Sequence, residues 1–128
     1  MNMKMTKDEI YSILKTAAGF ELDEDNFGTG SISKTFKTKY ENFPHNDVIQ
    51  EYISEHYPKM KKILESLPWE KEIVNPRNPQ PNDYPTEDSL YITMMDCNEH
   101  EVCTNQFHDG SFTWMNKTHI KWWMKLPE

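Results

Sequence analysis

The chain has 128 residues, of which 36% are hydrophobic and 27% charged, with 21 acidic against 14 basic side chains and a formal net charge of −7. That length suits one compact domain, and 12% aromatic residues compensate for few aliphatic ones, so the composition argues against disorder throughout. Basic residues are scattered apart from Lys34, Lys37, Lys39 and Lys59, Lys61, Lys62, which predicts no phosphate-binding face and no direct nucleic-acid contact. MNMKMTKDEI lacks the apolar stretch of an export signal and no run approaches a membrane span. The expected setting is a reducing cytoplasm, where Cys97 and Cys103 remain free thiols.

The first strong local signal is TKDEIYSILKTAAG, Thr6 to Gly19. Thr6 and Glu9 have capping-box spacing, Ile10, Ile13, Leu14, Ala17 and Ala18 share one helical face, and Gly19 suits a left-handed residue past the end. Residues 20–45 have no helical period, and the partial alternation from Ser31 to Tyr40 predicts a short strand or an ordered loop. A second helix is expected from about Asn46 to Leu67, since Ile49, Tyr52, Ile53, His56, Met60, Ile63, Leu64 and Leu67 keep the 3.6 period. Pro58 falls inside it and predicts a kink near Tyr57. Residues 68–88 then carry Pro68, Pro76, Pro79, Pro81 and Pro85, a density that excludes a helix or a central strand and reads as an extended strap. This strap is expected to divide a helical part, 1–67, from a β-rich part, 89–128, within one domain.

From Ser89 onward the pattern predicts a four-stranded meander: LYITMM (90–95), VCTNQF (102–107), SFTWM (111–115) and HIKWWM (119–124). Asp109-Gly110 is a hairpin signal between the second and third strands. Period 2 places Ile120 and Trp122 on one face of the last strand and Trp123 on the other. If helices cover one face, one tryptophan is core and the other lies under the strap or at the surface, where Trp123 would offer a binding platform.

The residues WWMKLPE (122–128) place Trp123, Met124, Leu126 and Pro127 at the positions of a terminal Trp-Met-Pro-Leu-Pro-like motif, with Lys125 where proline is frequent. The chain here resembles a domain-of-unknown-function family carried by tailed phages and prophages. YPTEDSLYITMMD, with Pro85, Glu87, Leu90 and Ile92, resembles that family's opening strand, FHDGSF its Asp-Gly hairpin, and Trp69 the aromatic that begins the domain. The likeness spans residues 69–128 and implies a phage or prophage setting rather than a chemistry.

Several clusters bear on chemistry. DCNEHEVC holds Cys97, His100 and Cys103, but five residues separate the cysteines and His100 sits at the expected tip, a poor zinc set; no metal and no cofactor is expected. DNFGTGSISKTF (25–36) has the cadence of a calcium loop but puts Phe27 and Phe36 at ligand positions. GTGSIS lacks the lysine of a phosphate-binding loop, and no G-x-S-x-G elbow occurs. The expectation is therefore an α+β protein, N-terminal helices on an antiparallel sheet of about four strands, acting without catalysis as a phage-encoded accessory protein. Its partner would be a host or phage protein. A sharper form is an inhibitor of a host defence nuclease in which Glu21, Asp23, Glu24 and Asp25 imitate a phosphate backbone. Two other classes stand beside it: an enzyme or small-ligand binder using His100, His108 or His119, and a structural piece of the virion.

Overall fold

Thr6 opens the first helix as its spacing requires. Its hydroxyl accepts the Glu9 N–H at 3.2 Å while the Glu9 carboxylate accepts the Thr6 N–H at 3.4 Å. The computed structural model describes residues 5–22, 27–35, 46–97, 100–112 and 119–127, without the side chains of 46–50, 52 and 53. Helix α1 (Lys7–Ala18) ends at Gly19, whose φ of 63° is the left-handed conformation that glycine adopts without a Cβ clash. Helix α2 (Asn46–Glu65) passes through Pro58 as one element, and α1 packs against it.

The strands are β1 (Glu21–Leu22), β2 (Gly28–Gly30), β3 (Lys71–Glu72), β4 (Ser89–Met95), β5 (Val102–His108), β6 (Ser111–Phe112) and β7 (Ile120–Lys125). They form one antiparallel sheet of seven strands in the order β1-β2-β5-β4-β7-β3, with β6 on β5. The α+β class holds, but three expectations are corrected. The sheet has seven strands rather than about four, because β1 and β2 from the N-terminal half and β3 from the strap join it. It is not a meander, because β7 bypasses β6 and pairs with the far side of β4. The part before the strap is not wholly helical, since it also contains β1 and β2, and β2 pairs directly with β5. Residues 32–35 form a helical turn instead of the expected strand or loop; residues 36–45, 113–118 and 23–26 lie outside the described residues.

The two sheet faces are closed by different parts of the chain. On one, Ile92, Met94, Val102 and Met124 pack with Ile10, Leu14, Ala17, Phe20 and Leu64, so both helices lie on this side. On the other, Tyr91, Phe107, Phe112 and Trp123 cluster with Ile73 and Tyr84 of the strap. Successive residues of a strand point to opposite faces, and so the adjacent tryptophans divide: Trp122 packs on the helix side and Trp123 under the strap. Ile120 does not share Trp122's face as strict alternation predicted. The pairing slips between Met94↔Trp122 and Met95↔Ile120, leaving one extra residue in β7, and such a bulge turns Ile120 to the strap side.

The strap is tied down by backbone and side-chain bonds. Glu70 N–H donates to the Trp123 carbonyl at 3.0 Å and Ile73 N–H to the Lys121 carbonyl at 2.7 Å. The Trp69 indole N–H donates to the Leu64 carbonyl at 2.7 Å, and the Trp123 indole N–H to the Asp83 carbonyl at 2.8 Å.

Two outcomes follow from this packing. Deleting residues 120–128 removes β7 from between β4 and β3 together with Trp122, Trp123 and Met124. Each large apolar side chain contributes about 1.5–3 kcal/mol, against a total stability of about 5–15 kcal/mol. We predict no cooperative melting transition for the truncated chain by circular dichroism; an unchanged melting temperature would mean the segment is a dispensable tail. At Gly30 an added Cβ would sit 2.5 Å from both the Ala18 carbonyl oxygen and the Gly19 carbonyl carbon, backbone atoms that cannot rotate away. Gly30→Ala is expected to lose about 1–3 kcal/mol in urea unfolding through overpacking.

Candidate functional site

The strap face of β4 and β5 holds a buried polar trio. Thr93, Cys103 and Asn105 are 0%, 1% and 2% exposed, too enclosed to meet a substrate from solvent. Asn105 Nδ2 donates to Thr93 Oγ1 at 2.7 Å, and Thr93 Oγ1 donates to the Cys103 carbonyl at 3.0 Å. Asn105 Oδ1 has no described partner. Burial pushes the Cys103 thiol up, away from the thiolate form that nucleophilic chemistry needs.

Cys97 and Cys103 are both free, and Cys97 Sγ accepts the Glu101 N–H at 3.5 Å. His100 has a left-handed φ of 48° in the β4–β5 turn, and its Nδ1 is buried without a described partner. Burial lowers its pKa first; Lys61 of α2 lowers it further, while Glu65 of α2 and Asp96 of the turn pull the other way. His108 lies at the opposite end of β5, where Nδ1 pairs with Asp88 Oδ2 at 3.1 Å. Both members are exposed, so water competes for the pair and it stabilises little. His119 precedes β7 and is exposed; its carbonyl accepts the Asp96 N–H at 2.6 Å. Among the described residues no group of three or more His, Cys, Asp or Glu side chains converges to hold a metal. No described helix is long and apolar enough to cross a membrane.

Glu21 is exposed on β1; Asp23, Glu24 and Asp25 lie outside the described residues. Trp123 is 7% exposed, and its ring meets Tyr91 edge-on at 5.3 Å between centroids. A ligand would have to lift the strap to reach that indole.

The accessible concave surface with a distinct chemistry lies where α1 meets β1. Lys7, Tyr11 and Lys15 line one wall of an open groove of about 480 Å³, and Phe20, Glu21 and Leu22 line the other. The three helical residues recur every fourth position, which stacks them along one side of α1. Phe20 is buried at 2% exposure beneath the Tyr11 ring, which stacks on it at 6.4 Å and 16°, so the half-buried Tyr11 supplies the aromatic surface of the groove. Lys7 and Lys15 are exposed, and neither makes an ion pair with a described residue. β1 ends the sheet: β2 pairs with one side, and among the described residues no strand pairs with the other. A second groove, of about 700 Å³, lies at the end of β4 and β7 between Glu87, Ser89, Lys125 and Pro127, and carries both charge signs.

The sequence reading missed Lys7, Tyr11 and Lys15. Their fourfold spacing beside the apolar face was visible in KDEIYSILK, but the neighbouring strand was not. The chain matches no family model, no curated protein and no solved structure.

His100 gives this region a pH dependence whose sign is fixed. Its folded pKa is lowered, whereas the unfolded chain takes up the proton near 6.5. As pH falls below that value the unfolded state binds the proton first, so stability is fully present above it and declines toward the folded pKa. We predict that His100→Asn, which tolerates positive φ, flattens the decline in urea midpoint between pH 7 and pH 5; an equally steep decline would assign it to other groups.

Proposed function

We propose that this chain is a non-enzymatic binding protein whose contact surface is the α1–β1 groove. The observation that carries this reading is that one accessible groove brings together the exposed Lys7 and Lys15, the Tyr11 ring and a strand edge, with no ion pair to either lysine and no strand on that edge among the described residues. Hydrogen-bonding edge, aromatic surface and flanking charge together supply affinity, specificity and steering for a macromolecular partner. A phage or prophage accessory role is what the resemblance read in residues 69–128 would imply. The partner would then be a host or phage protein. Inhibition of a host defence nuclease by acidic mimicry is the finer form, and Glu21 would take part in it as an exposed residue of the same edge.

Photo-crosslinking tests the site. A benzoylphenylalanine placed at Lys15 should give protein adducts in bacterial lysate that excess unlabelled protein removes. The control position is Val74, 83% exposed and just beyond the strand at the opposite sheet edge. Adducts from position 15 no more abundant than from position 74 would sink the groove as the contact surface.

A further inference from the structure

We infer that the occupant of this groove is an extended acidic segment of a partner protein, which adds as a further strand to the free side of β1. The inference rests on the groove of the proposed function, not on its acidic-mimicry form, and specifies the ligand. Strand addition needs an unpaired edge with pockets beside it, and β1 has both: no described strand pairs with its outer side, and both of its residues line the groove.

Charge selects the sign of the segment. The whole chain carries −7, yet the two charged side chains on the helical wall, Lys7 and Lys15, are both cationic and exposed. Glu21 of β1 also lines the groove, so its charged lining is two lysines and one carboxylate, with the cations in excess. An acidic ligand in the groove would therefore meet two cations on the helical wall against one carboxylate on the strand wall.

Helix geometry sets the spacing. Lys7 and Lys15 are eight residues apart on α1, about 12 Å along the axis. Four residues of extended chain cover about 13 Å. Acidic residues four apart would reach both lysines, and the residue midway between them would lie over Tyr11. The recognised pattern is thus acidic-x-apolar-x-acidic.

Fluorescence anisotropy with a labelled peptide Ser-Glu-Thr-Leu-Thr-Glu-Ser tests each element. We expect saturable binding, at least tenfold weaker when both glutamates become lysines and at least tenfold weaker when the leucine becomes serine. Lys7→Glu with Lys15→Glu should also weaken it at least tenfold, while Lys7→Arg with Lys15→Arg keeps it; circular dichroism verifies that both variants fold. N-methylating alternate amides should abolish binding in one register and spare the other, since only one set faces the strand edge. Equal binding of the acidic and basic peptides, or indifference to N-methylation in both registers, would overturn the inference. Sedimentation equilibrium adds a further arm: a dimer of the unliganded protein that Lys7→Glu/Lys15→Glu dissociates would assign the groove to a second copy and overturn it too. If position 15 crosslinks a partner while the peptide fails to bind, the groove stands as the contact surface and the strand-addition chemistry falls.

Discussion

The fold depends on the last strand lying inside its sheet. β7 is paired on both sides, to β4 along most of its length and to β3 through Lys71↔Trp123 and Glu72↔Trp122. Chain ends ordinarily fray unless secondary structure ties them down, and an interior position ties this one on two edges. The adjacent tryptophans extend the constraint across the sheet. Trp122 joins the core under the helices, Trp123 the core under the strap, so one dipeptide links two clusters that share no other neighbouring pair of aromatic residues among those described.

The strap owes its path to that arrangement. Its prolines give up backbone donors, which a central strand could not accept, so only two of its residues pair and they do so at the sheet edge. The rest lies across the aromatic cluster, where the carbonyl of Asp83 meets the Trp123 indole and Tyr84 packs against Phe107 and Phe112 at 5.9 and 6.1 Å. The opposite margin is held by different means. Gly28 N–H donates to Thr104 Oγ1 at 3.0 Å, a bond between residues 76 positions apart that fixes β2 against β5. Gly30 lets the same strand approach the α1–β1 junction closely enough for Phe20 to turn inward.

This margin is also where the chemistry available to a partner differs from the rest of the molecule. Sheet faces are filled, and the polar trio of Thr93, Cys103 and Asn105 is sealed among them. At β1 a short edge strand stands beside a helix that turns two lysines outward. Short strands and charged rims protect an exposed edge against indiscriminate pairing. The same features restrict admission to segments of complementary charge.

Local signals in the sequence determined the local structure. Thr6, Glu9 and Gly19 set both ends of α1 because caps are contacts among residues three to five apart. Alternation and Asp109-Gly110 placed β4, β5 and the β5–β6 hairpin for the same reason. What only the tertiary structure decided is pairing between distant segments. Two- and three-residue strands such as β1, β2 and β3 have no periodicity long enough to register; they are strands because a longer strand or another short one lies beside them. The bulge in β7 is likewise a product of pairing, so the face taken by Ile120 could not follow from its spacing to Trp122. The groove shares that origin. Lys7, Tyr11 and Lys15 were legible as one side of a helix, but they become a wall only when Gly30 and Thr104 bring β1 and β2 alongside, and those are contacts that no local pattern encodes.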